Sequence, residues 1–182
     1  MRPRIGVIGA GVIGTFHGKA IHTCIKLGLV DADFVAVCDT DRDRAESYAR
    51  SAGLEFVTVD PDELIESPRV NTIYVCTPTV SHKELTLKAL RAGKAVFCEK
   101  PLAFNAEDAG EMRDAAKAAG VTHQVGLVLR YSPVIAVIRD LIAEASSGRP
   151  MSAVMIDDQF FPIQGHYRST WRGDVTQVGA GT

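Results

Sequence analysis

The chain has 182 residues, 46% hydrophobic and 23% charged, and its 20 basic and 22 acidic side chains leave a formal net charge of −2. Such a profile suits a folded globular chain and excludes disordered or collagen-like material. It also argues against nucleic acid as a partner, which needs a basic stripe to neutralise phosphates.

In chain order, short apolar runs alternate with helical patterns. Arg4 to Ile8 reads as a buried strand, and Ile13, Phe16, Ala20, Cys24 and Leu27 then recur at helical spacing. Phe34 to Cys38 gives a second strand and Arg42 to Ser51 a helix. Glu55 to Val59 gives a third strand, followed by a brief helix at Asp62 to Glu66. Thr72 to Cys76 is a fourth strand, with a helix after it carrying Leu85, Ala89 and Ala92 on one face. Ala95 to Cys98, a helix striped by Ala109, Met112, Ala116 and Ala119, and Thr122 to Gly126 complete six strand units. This alternation predicts an α/β fold, a doubly wound parallel sheet that binds ligands at the carboxyl ends of its strands.

After Gly126 the pattern changes. Val134, Val137, Ile138, Leu141, Ile142 and Ala145 form an amphipathic stripe, Ser147-Gly148-Arg149-Pro150 ends it, and Met151 to Phe161 reads as a longer strand. The expected division is therefore a nucleotide-binding domain over 1–126 and the start of a second, α+β domain over 127–182. The latter is too short to bury a core of its own. On this reading the chain is a fragment, expected to keep its dinucleotide contacts yet to aggregate and to show no activity alone.

Cys24, Cys38, Cys76 and Cys98 are dispersed, with no CxxC pair, and three of them end apolar runs. They read as buried, reduced thiols, which fits a cytoplasmic protein. Arg2 and Arg4 before Ile5–Ile13 superficially mimic a secretory leader, but Gly6, Gly9, Gly11 and Gly14 break the run and no small-residue cleavage site follows. No stretch approaches the roughly 18 apolar residues of a membrane span. His17, His22, His82, His123 and His166 form no cluster with metal-ligand spacing, so no metal is expected.

Chemistry concentrates at three turns. Gly9-Ala10-Gly11-Val12-Ile13-Gly14 matches GxGxxG between the first strand and first helix. Gly9 permits a tight turn, Gly11 lets a pyrophosphate approach the backbone, and Gly14 permits close packing of helix on strand. The following N–H groups and positive dipole end complete an anion site. A glycine-rich turn without a ligand uses the same letters; the strand–turn–helix context favours the dinucleotide. A P-loop fails because Thr15 stands where its Lys is required.

Asp39 ends the second strand, where a carboxylate can accept both adenine-ribose hydroxyls and repel a 2′-phosphate, favouring NAD. Arg42 and Arg44 keep NADP use open. Asp39 as the next helix's N-cap is the competing structural role. A calcium loop starting at Asp39 fails, because Arg44 and Arg50 replace its Gly and Glu. The fourth strand ends in Cys76-Thr77-Pro78, with Ser81 a candidate helix cap and His82 a candidate near a phosphate. The fifth ends in Glu99-Lys100-Pro101, where Lys100 faces the crevice and can shuttle a hydroxyl proton during hydride transfer. A salt bridge is the plain alternative for Lys100.

Together, GxGxxG, Cys76-Thr77-Pro78 with His82, and Glu99-Lys100-Pro101 resemble the Gfo/Idh/MocA family of nicotinamide oxidoreductases. Arg130-Tyr131-Ser132-Pro133, Gly148-Arg149-Pro150, Trp171-Arg172 and Gly179-Ala180-Gly181-Thr182 are similar to that family's later signatures. The resemblance implies a Rossmann domain, then a substrate domain on an open, mostly antiparallel sheet. It makes Lys100 the proton-transfer residue and puts Trp171 and Arg172 near nicotinamide or substrate, with Arg130 a further substrate contact. Cofactor contacts would come from Gly9, Gly11, Val12, Ile13, Gly14, Asp39, Cys76, Thr77, Pro78, His82, Glu99 and Lys100. The family's acid–His dyad follows the glycine-rich signature, and no residue before Thr182 occupies that place. The expected activity is hydride transfer between NAD and a sugar, cyclitol or related polyol, in an intact protein that is a homo-oligomer. An NAD-dependent glycosidase on the same scaffold and a non-catalytic nucleotide-binding redox sensor are the alternatives.

Overall fold

A computed structural model describes residues 1–144, 146, 148–154, 156 and 174–178. The elements are β1 (Arg4–Ile8), α1 (Val12–Lys26), β2 (Asp33–Cys38), α2 (Arg42–Ala52), β3 (Phe56–Thr58), α3 (Pro61–Glu66), β4 (Thr72–Val75), α4 (His82–Arg91), β5 (Ala95–Cys98), α5 (Ala106–Ala119), β6 (His123–Val125), α6 (Pro133–Ala143) and α7 (Val175–Val178). The six strands of the described residues form one sheet in the order β3-β2-β1-β4-β5-β6, parallel throughout. The chain builds outward from β1 through β2 and β3, then returns to lay β4 on β1's other side. Connections therefore leave β1 and β4 toward opposite faces, and a crevice opens between their carboxyl ends.

Alternation along the strands sorts the core onto two faces. Ile73 and Val75 of β4 and Val96 and Cys98 of β5 point to one side, where Leu64, Leu85, Ala89, Leu90, Met112 and Ala116 of α3, α4 and α5 cover them. On the other side Val37 packs with Tyr48 and Ala49 of α2. Helix ends are fixed by their own residues. Asp41, Asp60 and Asn105 accept main-chain N–H groups at the starts of α2, α3 and α5, while Gly53 and Gly120 close α2 and α5 in the left-handed conformation.

Helix α1 forms where the helical spacing places it, but packs by its glycines. Its apolar stripe is not its buried face: Ile13 is 40% and Phe16 66% exposed, and Leu27 is exposed too. The buried residues are Gly14 and Gly18. A Cβ at Gly14 would collide with the Gly9 carbonyl oxygen, and one at Gly18 with the Tyr48 hydroxyl. The helix thus lies closer to its neighbours than any side chain permits, and Tyr48 Oη donates to the Gly14 carbonyl at 2.9 Å.

The chain divides into two units. One comprises Met1–Gly126 with Thr170–Thr182, the other Leu127–Ser169. Helix α7 thus groups with the first unit, beside the Thr79–Ser81 turn, rather than with residues 127–169. Within the second unit a turn at Val128–Tyr131 leads to α6, which opens on Pro133 and carries Val134, Val137, Ile138, Leu141 and Ile142 exposed. Residues 151–154 form no strand, and most of the strand expected over 151–161 lies outside the described residues. Among the described residues no helix is long and apolar enough to cross a membrane.

Candidate functional site

Three turns meet at the carboxyl ends of β1, β4 and β5. In the first, Gly9 has φ +101°, and a Cβ there would stand 2.6 Å from the Cys76 carbonyl oxygen. Both the left-handed backbone and the close approach require glycine. Gly9 N–H donates to Cys38 O at 2.8 Å, and Cys76 N–H donates to Ile8 O at 2.8 Å, so the turn is stitched to β2 and β4. Gly11 is the reverse case, because a Cβ there would meet nothing within 4 Å. It is the N-cap of α1, with no side chain capping it and no acidic residue in the first turn. Val12 and Ile13 form that first turn and are exposed. An uncapped helix start beneath open space fits the pyrophosphate of a dinucleotide.

Asp39, 7% exposed, stands just past β2. Its Oδ2 accepts the Ala10 N–H at 2.8 Å and its Oδ1 the Asp41 N–H at 2.9 Å, while Arg44 Nη1 lies 3.1 Å from Oδ1. The carboxylate therefore pins the glycine turn to β2. Arg44 Nη1 also lies 3.3 Å from Oδ2, so the roughly four acceptor sites of the carboxylate are engaged, and ribose hydroxyls would take the place of the exposed Arg44 guanidinium. Asp39 is not the cap of α2; Asp41 is, accepting the Arg44 N–H at 3.1 Å.

At the β4 exit, Cys76 is buried, and burial pushes its thiol far above the usual range, with the nearby Glu99 adding to the effect. Pro78 follows Thr77 in extended conformation and opens the Thr79–Ser81 turn. Two expectations change here. Ser81 does not cap α4; its Oγ donates to Pro78 O at 3.0 Å and lies 2.8 Å from the Thr77 hydroxyl. His82 is 1% exposed, so it is not presented to a phosphate. Its Nε2 lies 2.8 Å from Thr77 O and its Nδ1 2.8 Å from Pro101 O, joining the β4 and β5 turns.

At the β5 exit, Glu99 is 5% exposed and Lys100 is exposed, with the Lys100–Pro101 peptide cis. Glu99 Oε1 pairs with His17 Nε2 at 2.7 Å, and Oε2 accepts the Lys100 N–H at 3.0 Å. Burial pushes the Glu99 carboxyl up, but the hydrogen bonds from His17 and the Lys100 amide outweigh it and hold the group below its usual range. The His17 ring stands edge-on to Phe97, centroids 5.0 Å apart, and tilted over Tyr74 at 5.8 Å.

The structure thus brings Gly9, Gly11, Gly14, Asp39, Cys76, Thr77, Pro78, Glu99 and Lys100 to one edge of the sheet. Arg130 is exposed in the Val128–Tyr131 turn of the second unit, and Trp171 and Arg172 lie outside the described residues. Sequence reasoning missed His17 and the Arg44–Asp39 pairing. His17 shares the α1 face of Gly14 and Gly18, and that run of small residues at helical spacing was the available signal.

Residues 3–127 match the oxidoreductase family with an NAD-binding Rossmann fold known as Gfo/Idh/MocA. The chain is 38% identical over 180 residues to the 1,5-anhydro-D-fructose reductase of Ensifer adhaerens, covering 98% of this chain and 51% of that protein. It is 34% identical over 148 residues to the scyllo-inositol 2-dehydrogenase (NAD(+)) of Bacillus subtilis strain 168, covering 81% of this chain and 42% of that one. Among solved structures, an NAD binding oxidoreductase from Klebsiella pneumoniae matches with a TM-score of 0.72 at 33% identity, over 79% of this chain and 39% of that one. A levoglucosan dehydrogenase in complex with NADH and levoglucosan matches with a TM-score of 0.75 at 29% identity, over 82% and 41%. The chain spans about half the length of the curated relatives it matches. With the parallel six-strand sheet and the glycine turn at its switch point, these matches establish that the chain belongs to the Gfo/Idh/MocA family of oxidoreductases.

Proposed function

We propose that the intact protein transfers hydride between NAD and a CH–OH group of a sugar, cyclitol or related polyol. The convergence of the glycine turn, the Cys76–Pro78 turn and Lys100 along one sheet edge carries this reading. Nicotinamide, when bound, supplies the hydride acceptor or donor. The first-turn N–H groups of α1 receive the pyrophosphate over Gly11, and Asp39 accepts the ribose hydroxyls and disfavours a 2′-phosphate. Cys76, Thr77 and Pro78 border the crevice. Lys100, exposed beyond β5, holds and releases the proton of the reacting hydroxyl.

Arg130, Trp171 and Arg172 belong to the substrate side on the family resemblance, with 1–126 as the dinucleotide domain and 127–182 as the start of the substrate domain. The substrate class is supported by the relatives' named substrates, an anhydrofructose, an inositol and levoglucosan. A cytoplasmic setting is supported by three thiols packed in the core, and a homo-oligomeric intact protein is part of the same reading.

Calorimetry with NAD and NADP, then NADH formation over a polyol panel, tests the proposal on the intact protein. NAD should bind more tightly than NADP, and Lys100→Ala should lower kcat by about 10²–10⁴-fold while leaving NAD affinity near the unsubstituted value. Absence of NAD binding, or full turnover without Lys100, would overturn it.

A further inference from the structure

His17 has no part in the chemistry above, yet it is nearly buried and pairs with the residue preceding Lys100. Its Nε2 lies 2.7 Å from Glu99 Oε1 across 82 residues of sequence, with side-chain exposures of 14% and 6%. The other carboxylate oxygen takes the Lys100 N–H. A third element closes on the same group, since a Cβ at Gly126 would stand 2.9 Å from Glu99 Oε1 and 3.1 Å from Phe97. Gly126 N–H meanwhile donates to Cys98 O at 2.8 Å, holding the β6 exit against β5. Glu99 is thus confined by α1, by the β6 exit and by its own neighbour's amide. The aromatic stack of Tyr74 on Phe97, 4.7 Å between centroids, seats the imidazole.

We infer that His17 is a positioning residue for Lys100, acting through the Glu99 carboxylate. The inference rests on the proposed role of Lys100 and adds a device to it. A carboxylate bonded at both oxygens has one orientation, so the backbone leaving β5 is set relative to α1. Gly14 ends the glycine turn three residues before His17, so the dinucleotide end of α1 and the proton-carrying side chain are registered by one buried hydrogen bond. Removing the imidazole leaves a buried carboxylate short of a partner, and it must turn toward whatever donor or water it can reach. Lys100 moves with it.

The test reads Lys100 directly, through the rate at which its amine is acetylated in the intact protein, followed by peptide mass spectrometry with exposed Lys26 and Lys117 as internal standards. His17→Ala should change the Lys100 rate several-fold and leave the standards unchanged. His17→Gln, which keeps a donor at similar reach, should restore it. Gly126→Ala removes no hydrogen-bonding group but crowds Glu99, and it should shift the same lysine. If His17→Ala unfolds the protein, all lysines accelerate together, and the Gln and Gly126→Ala variants decide the matter. An unchanged Lys100 rate in folded His17→Ala, an unchanged rate in Gly126→Ala, or a rate in folded His17→Gln displaced from the unsubstituted value overturns the inference. NAD calorimetry on the same samples keeps the two ideas apart. A responsive Lys100 with no NAD binding leaves the positioning link standing and removes the proposed function.

Discussion

Asp39 holds the Ala10 N–H and, in the proposed function, also receives the ribose hydroxyls, so its replacements should separate the two tasks. Asp39→Asn keeps an acceptor for Ala10 and loses the charge, whereas Asp39→Ala loses both. Both variants should raise NADP affinity relative to NAD; asparagine can still accept from only one of the Ala10 and Asp41 N–H groups and alanine from neither, so the alanine should lower stability further, by about 1–3 kcal/mol for the additional orphaned N–H. Parallel calorimetry and urea melts distinguish these effects; equal stability loss in both variants would contradict the assignment. Glu99 makes a different demand, on pH. Its folded-state pKa lies below the ordinary 4.5, so its contribution to stability is complete above that value and disappears as pH falls through the folded pKa. Urea midpoints should therefore fall more steeply with acidification below about 4.5 in the unsubstituted protein than in Glu99→Gln. Parallel curves would show that the carboxylate gains nothing from its partners.

Helix α1 is held by absence of side chains on one face, and this makes its packing testable as an element. Gly18→Ala should force the Tyr48 hydroxyl away and destabilise by about 1–3 kcal/mol through overpacking. Tyr48→Phe should cost about 1 kcal/mol for the bond to Gly14 O. Because both changes act on one contact, the double variant should lose less than the sum, and additive losses in thermal or urea melts would show that the contact is not shared. The same helix shows what the sequence made legible. The glycine spacing, the apolar runs and Glu99-Lys100-Pro101 each act locally, and local pattern locates the strands and the turns of the site. The buried face of α1 does not act locally. Ile13 and Phe16 have the right period to be core, and only the proximity of Gly18 to Tyr48, thirty residues on, turns them outward. His82 reads as a free histidine at a helix start until Pro101 O arrives beside its ring. The small residues of α1 mark the face that His17 shares, but nothing in either segment taken alone points to Glu99 as its partner.

Three buried cysteines sample the sheet from β2 to β5 and report on the molecule as a whole. Cys38 and Cys98 are pushed up to about 12 by burial, and Cys76 higher still, so their thiolates are scarce at neutral pH. Cys24 on α1 is only half-buried. Under native conditions Cys24 should be the first to react with a maleimide, and the other three should become reactive at one shared denaturant midpoint if the sheet opens as one cooperative unit. Staggered midpoints would divide it. The strand order has a further consequence, for synthesis. β1 is made first, yet its neighbour β4 begins at Thr72, and the groups that complete its turn come from Asp39, Cys76 and, through α1, Glu99. A nascent chain that has emerged only through β3 displays β1 with a bare hydrogen-bonding edge and a glycine turn lacking the wall that shapes it. The strand of this sheet that is made first is thus completed only when the fourth of the six has emerged. A ligand that needs the finished turn gives no protection before β4 emerges, so the bare edge of β1 should depend in that interval on chaperones and on the pace of translation.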